Sequence, residues 1–205
     1  MSLSARLWSD NADVAAEVLA HPFVRGIGDG SLPRDMFAGY LAQDAFFLES
    51  FARAYALALA RSRDTATLLT LADLLAGVRQ ELGLHASYAG SWGIDMTGVE
   101  PQPATSAYTE FLLATACTQD LGVIFAAMTP CMRLYAWLGT SLDAGTAGPY
   151  AEWVQTYADP AFDEIACSLE RLLDEQPDSP AVRTAYRRAM RLELAFFEAA
   201  LTPEV

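Results

Sequence analysis

Apolar residues recur at helical spacing along almost the whole chain, and the interruptions are short. Clusters of Gly, Pro, Ser and Asp fall at 26–33, 90–106, 140–149, 158–161 and 174–180. Between them lie long patterns of period 3.6 with few β-branched runs, which favours helix over strand. The pattern predicts helices over 3–20, 33–61, 64–89, 104–117, 120–142, 148–157, 159–175 and 179–201. Leu32-Pro33 and Ser179-Pro180 make good helix starts, since proline's fixed φ suits a first turn and Ser179 can cap free amides. No internal repeat or low-complexity linker divides the 205 residues, a length that supports a full-sized core. The expectation is an all-α, single-domain helical bundle over residues 1–205.

Charge then narrows the function. A net charge of -13 argues against DNA or RNA as a partner, because phosphate affinity rests on cationic contacts. All 13 basic residues are arginine, which removes lysine Schiff-base chemistry. Two histidines, His21 and His85, exclude a three-histidine metal site within one chain, and no CxxC, HExxH, P-loop or GxGxxG motif occurs. Neither metal nor organic cofactor is indicated. Three scattered cysteines read as reduced thiols. No apolar run reaches the ~20 uncharged residues of a membrane span, and the start, Met1–Arg6, lacks the apolar core of a signal peptide. A soluble, cytoplasmic protein is expected.

Some residues break the helical pattern. Within the apolar run Leu121–Leu138, the segment Thr129-Pro130-Cys131-Met132-Arg133-Leu134-Tyr135 sets a thiol and a phenol four residues apart on one helix face. Pro130 places that thiol beside a locally broken backbone. Asp44 interrupts an aromatic stripe of Met36, Phe37, Tyr40, Phe47, Phe51, Tyr55 and Ala58. Glu193 projects into the apolar face formed by Val182, Tyr186, Ala189, Met190, Phe196, Phe197 and Ala200, whereas Glu198 falls among arginines and reads as solvated. A buried carboxylate without a partner is costly or takes up a proton, so two of them point to a polar pocket inside the bundle. Cys117 and Cys167 read as small buried hydrophobes. Glu81, His85 and Tyr88 share a face at i, i+4 and i+7, a spacing that suits a structural hydrogen bond better than a di-iron ligand set. Tyr108 and Tyr157 stand near helix ends, where aromatics commonly seal a core.

The segment His21-Pro22-Phe23-Val24-Arg25-Gly26-Ile27-Gly28-Asp29-Gly30-Ser31-Leu32-Pro33 resembles the H-P-F-x-x-G-I-G-D-G-x-L-P signature of the TenA (thiaminase II) family. Tyr40-Leu41-Ala42-Gln43-Asp44-Ala45-Phe46-Phe47-Leu48 resembles its Y-x-x-Q-D-x-x-[YF]-L helix, and Pro130-Cys131-x-x-Leu134-Tyr135 its nucleophile segment. Segments around Tyr108, Tyr157 and Glu193 follow in the family's order, and Glu81-x-x-x-His85 recurs in it. The resemblance implies a haem-oxygenase-like helical fold, a homotetramer, and hydrolysis of thiamin-related aminopyrimidines in thiamin salvage. The implied substrate is 4-amino-5-aminomethyl-2-methylpyrimidine, converted to the 5-hydroxymethyl form with release of ammonia, with thiamin cleavage as a further activity. Two positions depart from the family pattern: Phe47 lacks the phenol of many relatives, and Met132-Arg133 replaces aromatics after the cysteine.

By that resemblance, Cys131 is the covalent nucleophile. A protonated carboxyl at Asp44 would activate the ring by hydrogen-bonding its amidine edge, and Glu193 would protonate the departing amine and then activate water. Phe47 and Tyr157 would flank the ring, with Tyr108 and Tyr135 holding ring or thiol through their phenols. The alternative on the same fold is a pyrimidine-binding protein without turnover. Haem binding would have to use His21 or His85, and direct DNA regulation is disfavoured by the charge.

Overall fold

The computed structural model describes residues 1–94 and 99–202, without the side chains of residues 80, 84–88 and 91. Every long element among the described residues is an α-helix: α1 (Leu3–Asp10), α2 (Ala12–Leu19), α3 (Pro22–Gly28), α4 (Arg34–Arg61), α5 (Thr65–Trp92), α6 (Pro103–Thr118), α7 (Leu121–Ser141), α8 (Ala151–Ala158), α9 (Pro160–Asp174) and α10 (Pro180–Ala200). A 3₁₀ turn, Gly148–Tyr150, leads into α8. The helical class holds as expected, and the local departures have identifiable causes.

The expected first helix is two. Asn11 is buried at the junction, where its Nδ2 donates to the Leu7 carbonyl at 2.7 Å and its Oδ1 accepts from Arg187 at 3.2 Å. A short amide side chain has captured a carbonyl that helix propagation would need. Between residues 20 and 33, where no helix was expected, the chain forms α3, and the turn begins only after Gly28. His21 caps α3 through Nδ1, accepting from the Phe23 amide at 3.3 Å, with Pro22 in the first turn.

The glycine-rich segment that follows is built for a tight return. A Cβ on Gly26 would stand 3.2 Å from the backbone of Leu32, whose amide donates to the Gly26 carbonyl at 3.0 Å. Gly30 takes φ +75°, a left-handed conformation that favours glycine. Asp29 accepts from the Ser31 amide, and the Tyr150 hydroxyl donates to the Leu32 carbonyl. Most of this segment therefore serves the turn that launches α4.

α7 is the centre of the bundle, packed by α10, α9 and α8. Asp120 caps it by accepting from the Val123 amide at 3.0 Å, and 16 of its 21 residues are buried. It is long and apolar enough to cross a membrane by length and composition, but here it forms the core. Helix continues through Pro130, which lacks the N–H that would reach back one turn. α8 crosses α7 at Gly139, where a Cβ would stand 2.3 Å from the Tyr157 carbonyl carbon. Only glycine allows this approach, and the approach sets Tyr157 against Tyr135.

Candidate active site

α4, α6, α7, α8 and α10 each deliver polar or aromatic groups to one buried region. Cys131 and Tyr135 come from α7, Asp44 and Phe47 from α4, Tyr108 from α6, Tyr157 from α8 and Glu193 from α10. All seven are buried, with Asp44 4% and Glu193 2% exposed. The structure thus brings together every candidate that the sequence singled out for the pocket. Glu198, on the same helix as Glu193, is exposed as its place among the arginines required.

Glu193 is the best-defined group. Its Oε1 accepts from the Tyr108 hydroxyl at 2.6 Å, and its carboxyl faces the Cys131 thiol closely enough for the S–H to interact with it. Loss of water contact and the neighbouring Asp44 carboxylate push its pKa up to about 8, against the stabilising bonds from Tyr108 and Cys131. A carboxyl in this position holds its proton near neutral pH. The Cys131 thiol is itself pushed well above its ordinary range, first by burial and then by the charges of Glu193, Glu81 and Asp44. It is a thiol at rest, not a thiolate.

Aromatic contacts frame the space around these groups. The Phe47 ring meets the Tyr108 ring at 4.7 Å between centroids, and Phe51 and Phe196 lie behind it. Tyr135 meets Tyr157 edge-on at 4.8 Å, with Trp153 4.7 Å from Tyr157. Hydroxyls link the two halves: Tyr40 donates to Tyr135 at 3.1 Å, and the Trp153 indole N–H reaches Tyr40 at 3.4 Å. Burial raises the phenols of Tyr40, Tyr108, Tyr135 and Tyr157 well above their usual range, so each stays a neutral hydroxyl.

Glu81 accepts from the Tyr157 hydroxyl of α8 at 3.1 Å. The side chains of His85 and Tyr88, its expected neighbours on α5, lie outside the described residues. Of the two residues after Cys131, only Met132 faces inward. Arg133 turns to α9, pairing with Glu170 at 2.6 Å and Asp163 at 2.6 Å. Its Nη2 also lies 3.3 Å from Cys167 Sγ. The expectation of two further core thiols is corrected: Cys117 is exposed and Cys167 half-buried. Cys117 sits next to the last residue of α6, where the helix face has already rotated to solvent, and Cys167 belongs to the polar seam of α9.

Two contributors were not singled out from the sequence. Tyr40 lay on the aromatic stripe, where nothing distinguishes a phenol with a hydrogen-bonding role from a core ring. Gln43 neighbours Asp44 and is buried. Its amide donates to the Glu100 carbonyl at 3.0 Å and accepts from the Gln102 amide at 2.9 Å and the Thr105 hydroxyl at 2.7 Å. This fastens the start of α6 to α4 and so sets the height of Tyr108 above Phe47. A buried glutamine on the apolar side of α4 was the available signal.

The comparisons with known proteins agree with this architecture. An aminopyrimidine aminohydrolase of Halalkalibacterium halodurans is 34% identical over 215 residues, covering 98% of this chain and 96% of that protein. The bifunctional TH2 protein of Arabidopsis thaliana, mitochondrial, is 34% identical over 97% of this chain, which spans only 37% of that longer protein. A crystal structure of a TenA family transcription regulator from Silicibacter sp. TM1040 superimposes with a TM-score of 0.91 at 27% identity, covering 97% of this chain and 96% of that one. A domain with a haem-oxygenase-like fold from Shewanella denitrificans aligns with a TM-score of 0.72 at 15% identity, covering 96% and 91% of the two chains, and shares the fold. Residues 8–202 match the TENA/THI-4/PQQC family, and this chain belongs to that family.

Proposed function

We propose that this protein hydrolyses aminopyrimidines related to thiamin, releasing ammonia from 4-amino-5-aminomethyl-2-methylpyrimidine and leaving the hydroxymethyl pyrimidine. The observation that carries this reading is Glu193. It is a carboxyl held protonated at neutral pH by burial, fixed by the Tyr108 hydroxyl and facing a thiol. A proton donor of that kind beside a nucleophile is what loss of an amine requires. The H. halodurans relative, named as an aminopyrimidine aminohydrolase and matched nearly end to end, supports the substrate class.

The roles follow from the chemistry. The Cys131 S–H adds across a ring C=N bond, sulfur to carbon and proton to nitrogen, assisted by Asp44 on the amidine edge. This route suits a resting thiol, because the sulfur gives up its proton only as it bonds to carbon. The ring nitrogen then drives out the substituent from the adjacent methylene as Glu193 gives its proton to the amine, so ammonia departs. Water adds to the exposed methylene, its proton returning to Glu193. The ring N–H proton and the sulfur then leave together as the thiol. One water is consumed and one ammonia released. Phe47 and Tyr157 flank the ring, and Tyr108 and Tyr135 hold carboxyl, thiol and ring in register.

The test measures ammonia and product mass with the parent and with Cys131→Ser. The expected result is hydroxymethyl pyrimidine from the parent alone, with pyrimidine binding retained by the variant. Turnover by Cys131→Ser at the parental rate refutes the covalent route. A second reading, pyrimidine binding without turnover, draws on the three carboxyls that oppose a thiolate at Cys131; binding with no product after long incubation would establish it. A homotetramer in the cytoplasm is the state carried over from the family resemblance, and sedimentation would test the assembly.

A further inference from the structure

The pocket region holds two bonds between a phenol and a carboxyl, Tyr108 to Glu193 at 2.6 Å and Tyr157 to Glu81 at 3.1 Å. The first serves the chemistry proposed above, and the second has no part in it. Tyr157 is held by three aromatic rings, Tyr135 at 4.8 Å, Trp153 at 4.7 Å and Phe162 at 4.9 Å between centroids. All three meet it at steep angles, 63° to 87°, so none is stacked parallel on its face. These contacts confine the body of the ring but make no bond to its hydroxyl. That bond comes from elsewhere: Glu81 belongs to α5, which packs chiefly on α4 and α9, and its carboxyl reaches across to α8. The same carboxyl stands near enough to the reaction centre to oppose ionisation of Cys131.

We propose that Glu81 is a positioning residue of the pyrimidine site: by taking the Tyr157 hydroxyl hydrogen, it locks the ring against which the substrate lies. This role rests on the function proposed above. A buried phenol is costly until its hydroxyl is paired, and pairing it with one acceptor selects one tilt of the ring. Fixing that tilt before substrate arrives spares the ordering that binding would otherwise require. The bond also acts on the electrons of the ring. A phenol that donates its hydrogen to a carboxyl is richer in π density, and an aminopyrimidine is electron-poor, so contact between their faces is strengthened. In this role Glu81 acts through Tyr157 and takes no part in proton transfer.

A conservative and a disruptive variant test the role. Glu81→Gln keeps a carbonyl oxygen that can accept from Tyr157. Glu81→Leu removes the acceptor and sets an apolar side chain in a cavity of about 100 Å³ whose walls include Leu74, Val78, Phe162 and Ile165, so the bundle accommodates it. Binding of 4-amino-2,5-dimethylpyrimidine is measured in the Cys131→Ser background for both, for Tyr157→Phe, and for Glu81→Leu combined with Tyr157→Phe. The expected result is an about tenfold loss of affinity for Glu81→Leu and for Tyr157→Phe, with no further loss in the combination. Glu81→Gln loses at most about threefold. With Cys131 present, KM for the aminomethyl pyrimidine rises by the same factors while kcat changes less. A merely structural Glu81 would lower Tm and leave affinity unmoved. Unchanged affinity in Glu81→Leu, additive losses in the combination, or Glu81→Gln as weak as Glu81→Leu overturns the positioning role and leaves the proposed function standing. If Cys131→Ser alone binds no pyrimidine, the proposed function falls, and this role with it.

Discussion

Replacing Glu193 by glutamine isolates the energetics of the buried acid. In the folded protein its pKa lies at about 8, against 4.5 ordinarily, because burial and Asp44 disfavour the charged form. Between those values the native state holds a proton that the unfolded chain has released. Unfolding free energy therefore falls as pH rises, by ~1.4 kcal/mol per pH unit for one proton. From about pH 6 to about pH 7.5 the parent loses roughly 2 kcal/mol from this group alone. Glutamine never ionises, and its Oε1 can still accept from Tyr108, so the variant folds without that slope. Denaturant unfolding of both proteins across this range, with unchanged m-values, gives the difference directly. His21, whose pKa burial lowers, titrates in both and cancels. Asp44, Cys131 and Tyr108 are the groups that face residue 193, and all three remain in the variant. Parallel stability curves, or a parent that gains on the variant as pH rises, would refute the argument. Activity should vanish in the same variant, since an amide gives no proton to a departing amine.

Three further outcomes are expected. Tyr108→Phe removes a bond that favours the Glu193 carboxylate, so the Glu193 titration rises and the alkaline limb of kcat moves to higher pH; an unmoved or lowered limb in the pH profile counts against Glu193 as the acid. Gly139→Ala forces a methyl into the Tyr157 carbonyl and should cost about 1–3 kcal/mol as overpacking, with activity falling further because Tyr157 shifts; an unchanged Tm would show that α8 yields freely. Gln43→Leu leaves the Gln102 amide and the Thr105 hydroxyl unpaired in a buried place. That should destabilise by about 2–4 kcal/mol in denaturant titration, and a neutral result would show that the α6 start has other anchors.

Asp44 and Glu193 stood out because a charge in the middle of an apolar stripe has no cheap explanation. Cys131 stood out through its proline and its partner Tyr135. Those anomalies are properties of one helix each, which is why they could be read in one dimension. Tyr40 and Gln43 were hidden for the same reason. On a stripe of aromatics a phenol with a hydrogen-bonding role has the same period as a core ring, and a glutamine's three partners lie on a segment 57 to 62 residues away. Asn11 broke the first helix through its own side chain and a distant arginine, so propensity along the chain did not mark the break.

Periodicity and punctuation by themselves determined an all-helical chain, most of its helix bounds, and the set of residues that had to be excused from the core. Tertiary structure decided what those residues do to one another. Glu193 holds its proton near neutral pH because the packed helices bury it and α4 brings Asp44 near, while Tyr108 from α6 and Cys131 from α7 pull the other way. Tyr157 reaches the pocket only because Gly139 lets two backbones touch. A titration midpoint and a ring contact belong to neighbours in space, and local helical spacing cannot encode which neighbours those will be.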